Sequence, residues 1–230
     1  MASIAKNTAF GVVTVMDVRV FNLNTQLTIG SGTAQSIDAL YKAKNTNLDD
    51  FNAALEALAY PAQDPAELPW ECSLDHLTVA TLSTDGPSIT INGGKYNNPL
   101  IKYGKTARCE MTDALGQMDA LVALGGAEYI DETTPSKGIV VTDKFSEPVC
   151  LVGRSFVVDQ KTGKHVPVTV FMYQFLPDSV PSFSFDSGNA ATFDLNGDLL
   201  AVEFASGAAE GACDTGSGTF FSIKFSDCTL

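Results

Sequence analysis

The chain has 230 residues, 45% of them hydrophobic and 18% charged, which supplies one β domain with an ordinary core and argues against disorder. A formal charge of -13 and a pI of about 4.4 exclude a protein that grips phosphate backbones, because such binding needs clustered Lys and Arg to displace counterions. Five cysteines, Cys72, Cys109, Cys150, Cys213 and Cys228, are odd in number and widely spaced, a pattern of reduced thiols and not of a disulfide framework.

No basic segment followed by a continuous apolar stretch opens the sequence, so no secretory signal is expected. The first apolar run, Val12 to Val20, is interrupted by Asp17 and Arg19 and is too short to span a bilayer. Synthesis and solubility in a reducing cytoplasm, with no membrane partner, are the expectation. Val12 to Phe21 is rich in β-branched residues and reads as a strand that Gln26 to Ile29 continues or returns. From Gly30 to Trp70 the chain turns polar and alanine-rich, which reads as an insertion. Its clearest element is a helix from Leu48 to Ala59, with Leu48, Phe51, Leu55 and Leu58 on one stripe, Asn47 as cap and Pro61 as stop. Asp49 and Asp50 favour the positive end of its dipole. Pro61, Pro65 and Pro69 predict an extended arm.

Strand signals resume at Leu77 to Leu82 and Ser88 to Ile91, and Asn92-Gly93-Gly94 then predicts a hairpin turn. A strand over Thr106 to Met111 leads to a predicted helix from Asp113 to Leu124, with Thr112 as cap, Leu115, Met118 and Val122 as apolar stripe and Gly125-Gly126 as end. The rest reads as sheet: Ile139 to Thr142, Val149 to Asp159, His165 to Leu176, Ser182 to Asp186, Ala190 to Leu200 and Thr219 to Ser226. In the last, Phe221, Ile223 and Phe225 alternate with Ser222, Lys224 and Ser226, the pattern of one wet face. The His165 to Leu176 strand differs. Val166, Val168, Val170 and Met172 line one face and Phe171, Tyr173 and Phe175 the other, so one face meets a core and the other needs a helix or a neighbouring subunit.

Catalytic patterns are wanting. Asp194-Leu195-Asn196-Gly197-Asp198 imitates the start of a calcium loop, but its glycine is misplaced and Ala205 stands where a bidentate Glu would close the loop, so an Asn-Gly hairpin turn is expected instead. Two histidines, His76 and His165, are too few for a metal or acid/base constellation and read as strand residues. Cys-x-x-Cys, Gly-x-Ser-x-Gly and phosphate-loop patterns are absent from the sequence. The carboxylate pairs Asp49-Asp50 and Asp131-Glu132 read as solvated charge. No enzyme, no metal and no cofactor are expected.

Two stretches carry a family signal. One runs from Gly94-Lys95-Tyr96-Asn97-Asn98-Pro99-Leu100-Ile101-Lys102-Tyr103-Gly104 through Glu110-Met111 to Asp113-Ala114-Leu115-Gly116. The other runs from Val152-Gly153-Arg154 through Phe175-Leu176-Pro177-Asp178 and Phe183-Ser184-Phe185-Asp186 to Asp194-Leu195-Asn196-Gly197-Asp198. In the order of strand, helix, long hairpin and short strand, they resemble the tail tube (major tail) proteins of tailed bacteriophages. The resemblance implies a single β domain over residues 1–230, a β-sandwich or rolled barrel with one flanking helix and the helical insertion at 30–70. It implies hexameric rings that stack into the conduit for genome ejection. Implied partners are further copies of the chain and the tape measure, tail terminator and distal tail proteins, with DNA passing through without tight binding.

The strongly acidic composition suits such a conduit, because a negative wall repels phosphates. Asp178, Asp186, Asp194 and Asp198 are the candidates for the lumen. The strand from Val166 to Phe175 is the candidate for inner wall and subunit contacts, through Phe171, Tyr173 and Phe175. The 30–70 insertion and the loop with Tyr96, Leu100, Ile101 and Tyr103 are candidates for ring-to-ring or outer contacts. A virion decoration or surface β-sandwich protein is the alternative reading, and a cell-wall or glycan hydrolase working through a carboxylate pair a third.

Overall fold

A computed structural model describes residues 10–62, 68–75, 77–85, 88–90, 100–102, 105–113, 118–130, 138–159, 163, 165–178, 182–183, 193–205 and 218–225. In chain order the elements are β1 (Phe10–Asn22), β2 (Gln26–Leu27), β3 (Gln35–Ser36), α1 (Ile37–Ala43), α2 (Leu48–Ala59), β4 (Cys72–Leu74), β5 (Leu77–Asp85), β6 (Ser88–Thr90), β7 (Leu100–Lys102) and β8 (Thr106–Asp113). There follow α3 (Met118–Gly125), β9 (Ala127–Tyr129), β10 (Ile139–Val141), β11 (Val149–Asp159), β12 (His165–Pro177), β13 (Ser182–Phe183), β14 (Phe193–Leu199) and β15 (Phe221–Phe225). The protein is mainly β. One antiparallel sheet runs β4-β1-β11-β12-β14-β8-β5, with β13 on β14 and β15 on β12, and it rolls until β5 lies beside β1.

Alternation along the strands builds two apolar layers from the same sheet. Val18, Val20, Leu151, Met172, Cys109, Met111, Leu195 and Leu199 point into the roll. Ala120, Leu121 and Leu124 of α3 join that layer beside β4. Phe21, Cys150, Val152, Phe171 and Tyr173 point outward, under Ile37, Leu40 and Tyr41 of α1 and Phe51 and Leu55 of α2. The insertion is therefore the cover of the second apolar face. A helix, not a neighbouring subunit, satisfies it.

β12 changes sides once. Its register with β11 pairs Leu151 with Met172 but Val149 with Phe175, so one extra residue is accommodated near Gln174. That bulge turns Phe175 into the roll, whereas Phe171 and Tyr173 stay beneath the helices. Gly197 exists for Phe175. A Cβ there would stand 2.4 Å from the Leu176 carbonyl oxygen and 2.6 Å from Phe175 Cε2. The expected Asn196-Gly197 hairpin turn is thus corrected: both residues lie within β14, paired to Glu110 and Cys109 of β8.

Several local expectations hold. Asn47 Oδ1 caps α2 by accepting from the Asp49 amide at 2.8 Å, and the helix ends at Ala59 before Pro61. Gly126 closes α3 with φ of 64°, against the Lys144 carbonyl. β6 pairs with β7, Ile89 opposite Ile101, while Asn92-Gly93-Gly94, where the turn is expected, lies outside the described residues. Cys72, Cys109 and Cys150 are buried thiols that form no disulfide.

Others are corrected. Thr112 is not a helix cap but a strand residue whose hydroxyl donates to Asp194 Oδ1 at 2.8 Å, and β8 continues to Asp113. Within α3 the buried positions are Ala120, Leu121 and Leu124, with Val122 half-buried. Leu115 lies outside the described residues, as do Pro65 and His76. The wet face expected of β15 is inverted: Ser222 and Lys224 reach α2, while Ile223 and Phe225 are the exposed pair.

Candidate assembly surfaces

Three of the proposed lumen residues share a surface. On β14, Leu195, Gly197 and Leu199 are buried, so Asp194, Asn196 and Asp198 alternate outward. The partner strands continue the pattern, with Glu110 opposite Asn196, Arg108 opposite Asp198, and Thr81 and Ser83 of β5 opposite Glu110 and Arg108. Asp178, just beyond β12, receives the Arg108 Nη2 hydrogen bond, while Nη1 reaches Asp198 at 3.3 Å and Nε reaches Glu110 at 3.4 Å. The Asp178 contact chiefly raises the Arg108 pKa. Among the described residues of these strands, Asp85, Glu110, Asp178, Asp194 and Asp198 thus share this face with one base, Arg108. Asp186 lies outside the described residues.

The interface candidates fare differently. Phe171, Tyr173 and Phe175 are each 0% exposed within one chain, so they are corrected from subunit contacts to core. The Val166 to Phe175 strand is corrected with them: helices cover its outward face, and Val168 and Met172 face the inside of the roll, so it offers no inner wall. Leu100 and Ile101 lie in β7, whereas Tyr96 and Tyr103 are outside the described residues.

What holds the insertion to the sheet is aromatic and polar together. Phe51 stands 5.4 Å from the Tyr41 ring, 6.0 Å from Tyr173 and 5.3 Å from Phe204, centroid to centroid. Tyr173 Oη donates to Asn52 Oδ1 at 3.0 Å, Asn52 Nδ2 donates to Ser222 Oγ at 3.1 Å, and Ser222 lies 2.5 Å from the same Tyr173 hydroxyl. If Ser222 donates in that last contact, each group donates once around a closed ring. Tyr41 Oη donates to the Tyr173 carbonyl at 2.8 Å, and burial raises the Tyr41 pKa far above its usual value. The same desolvation pushes Cys150 up to about 12, so its thiol is no nucleophile at neutral pH.

Glu56 of α2 links the helix to two strands, accepting from Thr169 Oγ1 and Lys224 Nζ at 2.7 Å each. Burial alone would raise its pKa, but the bonds from Lys224 and Thr169 outweigh it and hold the carboxyl below the ordinary value. A lowered carboxylate pKa adds stability above its unfolded value and loses it as pH falls through the folded one. Glu56→Gln is expected to cost about 1 kcal/mol near neutrality, since the site is partly solvated. It should flatten the decline that sets in as pH falls below the ordinary carboxylate value, read by urea melts across the acid range; a variant with the wild-type acid profile would show that Glu56 is not a clamp.

Two features escaped sequence reasoning. Arg108 lies 70 and 90 residues from the aspartates it binds, so no local pattern announces it. Phe145 is 94% exposed in the loop between β10 and β11, and it looks unremarkable in a polar stretch. Among the described residues no group of three His, Cys, Asp or Glu is placed to hold a metal ion, and no helix is long and apolar enough to cross a membrane.

The chain is thus mainly β, a rolled antiparallel sheet with a charged outer face. Residues 127–222 match the YomU/Tube protein family, the part of the chain that holds β9 to β14 and the start of β15. The likeness to phage tail tube proteins read from the sequence stands on this match, which supports a tube-type structural component of a bacteriophage virion. No curated protein matches the chain.

Proposed function

We propose that the chain assembles with copies of itself into hexameric rings, and that the rings stack into the tail tube through which the genome leaves the virion. The observation that carries this reading is the family match over residues 127–222. The acidic face of β14, β8 and β5 supports it: turned to the bore, Asp194, Asp198 and Asp178 repel DNA phosphates and let the duplex slide. The protein is a structural subunit and no enzyme. Tape measure, tail terminator and distal tail proteins are its further partners, and the β6–β7 hairpin with Tyr96, Leu100, Ile101 and Tyr103 takes ring-to-ring or outer contacts. Negative-stain microscopy of the purified chain tests the reading. Rings or hollow filaments are expected; monomers or trimers at high concentration would favour a decoration protein instead.

Replacing Asp178, Asp186, Asp194 and Asp198 by lysine is expected to leave tube length and yield unchanged while slowing genome ejection at low salt, where screening is weakest. Ejection kinetics identical to wild type at 10 mM and 150 mM salt would remove these residues from the bore.

A further inference from the structure

Asparagine followed by glycine is the pair most prone to lose its side-chain amide, because glycine puts no Cβ in the way of ring closure. The sequence holds two such pairs, Asn92-Gly93 and Asn196-Gly197. The first lies outside the described residues. The second lies inside β14, where packing demands the glycine: a Cβ at 197 would stand 2.4 Å from the Leu176 carbonyl oxygen.

The reaction has definite needs. The Gly197 nitrogen attacks Asn196 Cγ; the N–Cγ bond forms, the Cγ–Nδ2 bond breaks, and ammonia leaves with the proton of the Gly197 amide. Water then opens the cyclic imide. Attack at Cγ gives aspartate, and attack at the main-chain carbonyl carbon gives isoaspartate, whose chain runs on through Cγ. Ring closure requires the Gly197 N–H to be out of the ladder and the Asn196 Cα–C bond to be rotated away from the extended setting.

β14 denies both. The Asn196 carbonyl accepts from the Asp178 amide at 2.9 Å on one side of the strand. In a planar trans peptide the N–H points opposite to the C=O, so the Gly197 amide faces β8, where Gly197 stands opposite Cys109. Asn196 itself is extended opposite Glu110 and exposed to solvent. Water reaches the side chain, but the nucleophile is engaged.

The two products differ in what they do to the strand. Aspartate at 196 adds a charge opposite Glu110 and between Asp194 and Asp198, a modest loss of the kind like charges cause across a ladder. Isoaspartate adds a carbon to the main chain beside the tightest contact of the strand. Leu195 and Leu199 are both buried, and a chain lengthened between them cannot seat both in the roll and keep position 197 clear of Phe175.

We infer that Asn196-Gly197 is a deamidation site kept dormant by the β14 ladder, and that its conversion to isoaspartate in an opened chain bars β14 from re-forming. The lesion marks chains that have opened and spares those that stay folded. It stands apart from the tube reading.

The test ages the full chain at mildly alkaline pH, folded in buffer and unfolded in urea, and follows Asn196 and Asn92 separately by mass spectrometry of peptides. In urea the two pairs should convert at similar rates, Asn92 setting the pace of the unrestrained chemistry. In the folded chain Asn196 should convert at least roughly a hundredfold more slowly than in urea, because a strand paired on both sides opens rarely. Equal rates at Asn196 in both conditions would overturn the dormant site. After dilution from urea, the refolded fraction should carry Asn or Asp at 196 and no isoaspartate. Isoaspartate in that fraction at its share of the aged pool would overturn the block. Asn196→Gln, aged in the same way, should refold in full, with Asn196→Ser in its place should the longer side chain lower the melting midpoint. A loss of refolding in these variants as large as in wild type would assign the damage to another position and sink the inference.

Discussion

Phe51→Ala is expected to cost about 3–5 kcal/mol, the range for losing a fully buried aromatic ring, and to lower the midpoint of thermal unfolding by roughly 10 °C in a chain of this size. The ring is 0% exposed and is the hub of the layer between α2 and the sheet, touching Tyr41, Tyr173 and Phe204. Truncation leaves a void bounded by groups that cannot all collapse, because Tyr173 is tethered to Asn52 and Ser222 and Tyr41 to the Tyr173 carbonyl. Urea unfolding of the unassembled chain measures it. If the aromatic face of β12 were a subunit contact, Phe51→Ala would weaken assembly and leave the isolated chain's stability within about 0.5 kcal/mol of wild type.

Gly197→Ala is expected to be nearly as damaging, at or above the upper part of the 1–3 kcal/mol range for an overfilled core. The added methyl meets two obstacles that cannot yield together: the Leu176 carbonyl, fixed where β12 pairs with β14, and the Phe175 ring, buried on every side. Gly197 is not among the described glycines with positive φ, so the penalty comes from crowding and not from backbone strain. A double variant carrying Phe175→Leu as well should regain part of the loss. Equal stability of Gly197→Ala and wild type would restore the turn reading of Asn196-Gly197.

Long alternating strands and a well-capped helix are legible in a sequence because many residues repeat one instruction. β1, β11, β12 and α2 are of that kind. Short elements are not: α1 has seven residues, and β4 and β9 have three each, too few for a period to emerge from noise. Thr112-Asp113 resembles a helix start because a hydroxyl before an acid is what a cap needs, but here the hydroxyl finds Asp194 across the ladder. The doubly apolar β12 was legible as a fact and misassigned as to cause, because nothing in the insertion's polar composition says that Ile37, Leu40 and Phe51 converge on it. The bulge near Gln174, which sends Phe175 to the opposite side from Tyr173, depends on the register with β11 and is invisible to a period-two count.

The acidic candidates were chosen for their number in the C-terminal part of the chain. What the fold adds is their common direction, imposed by the alternation of β14 against β8, and the Arg108 that holds Asp178 and Asp198. A density map of assembled filaments by helical reconstruction tests the account most directly: the face carrying Glu110, Asp194 and Asp198 should line the bore, unoccupied by protein, with α1 and α2 away from it. Were that face packed against another subunit, or turned to the outside of the filament, the proposed role of the acidic face as the wall of a DNA conduit would be contradicted.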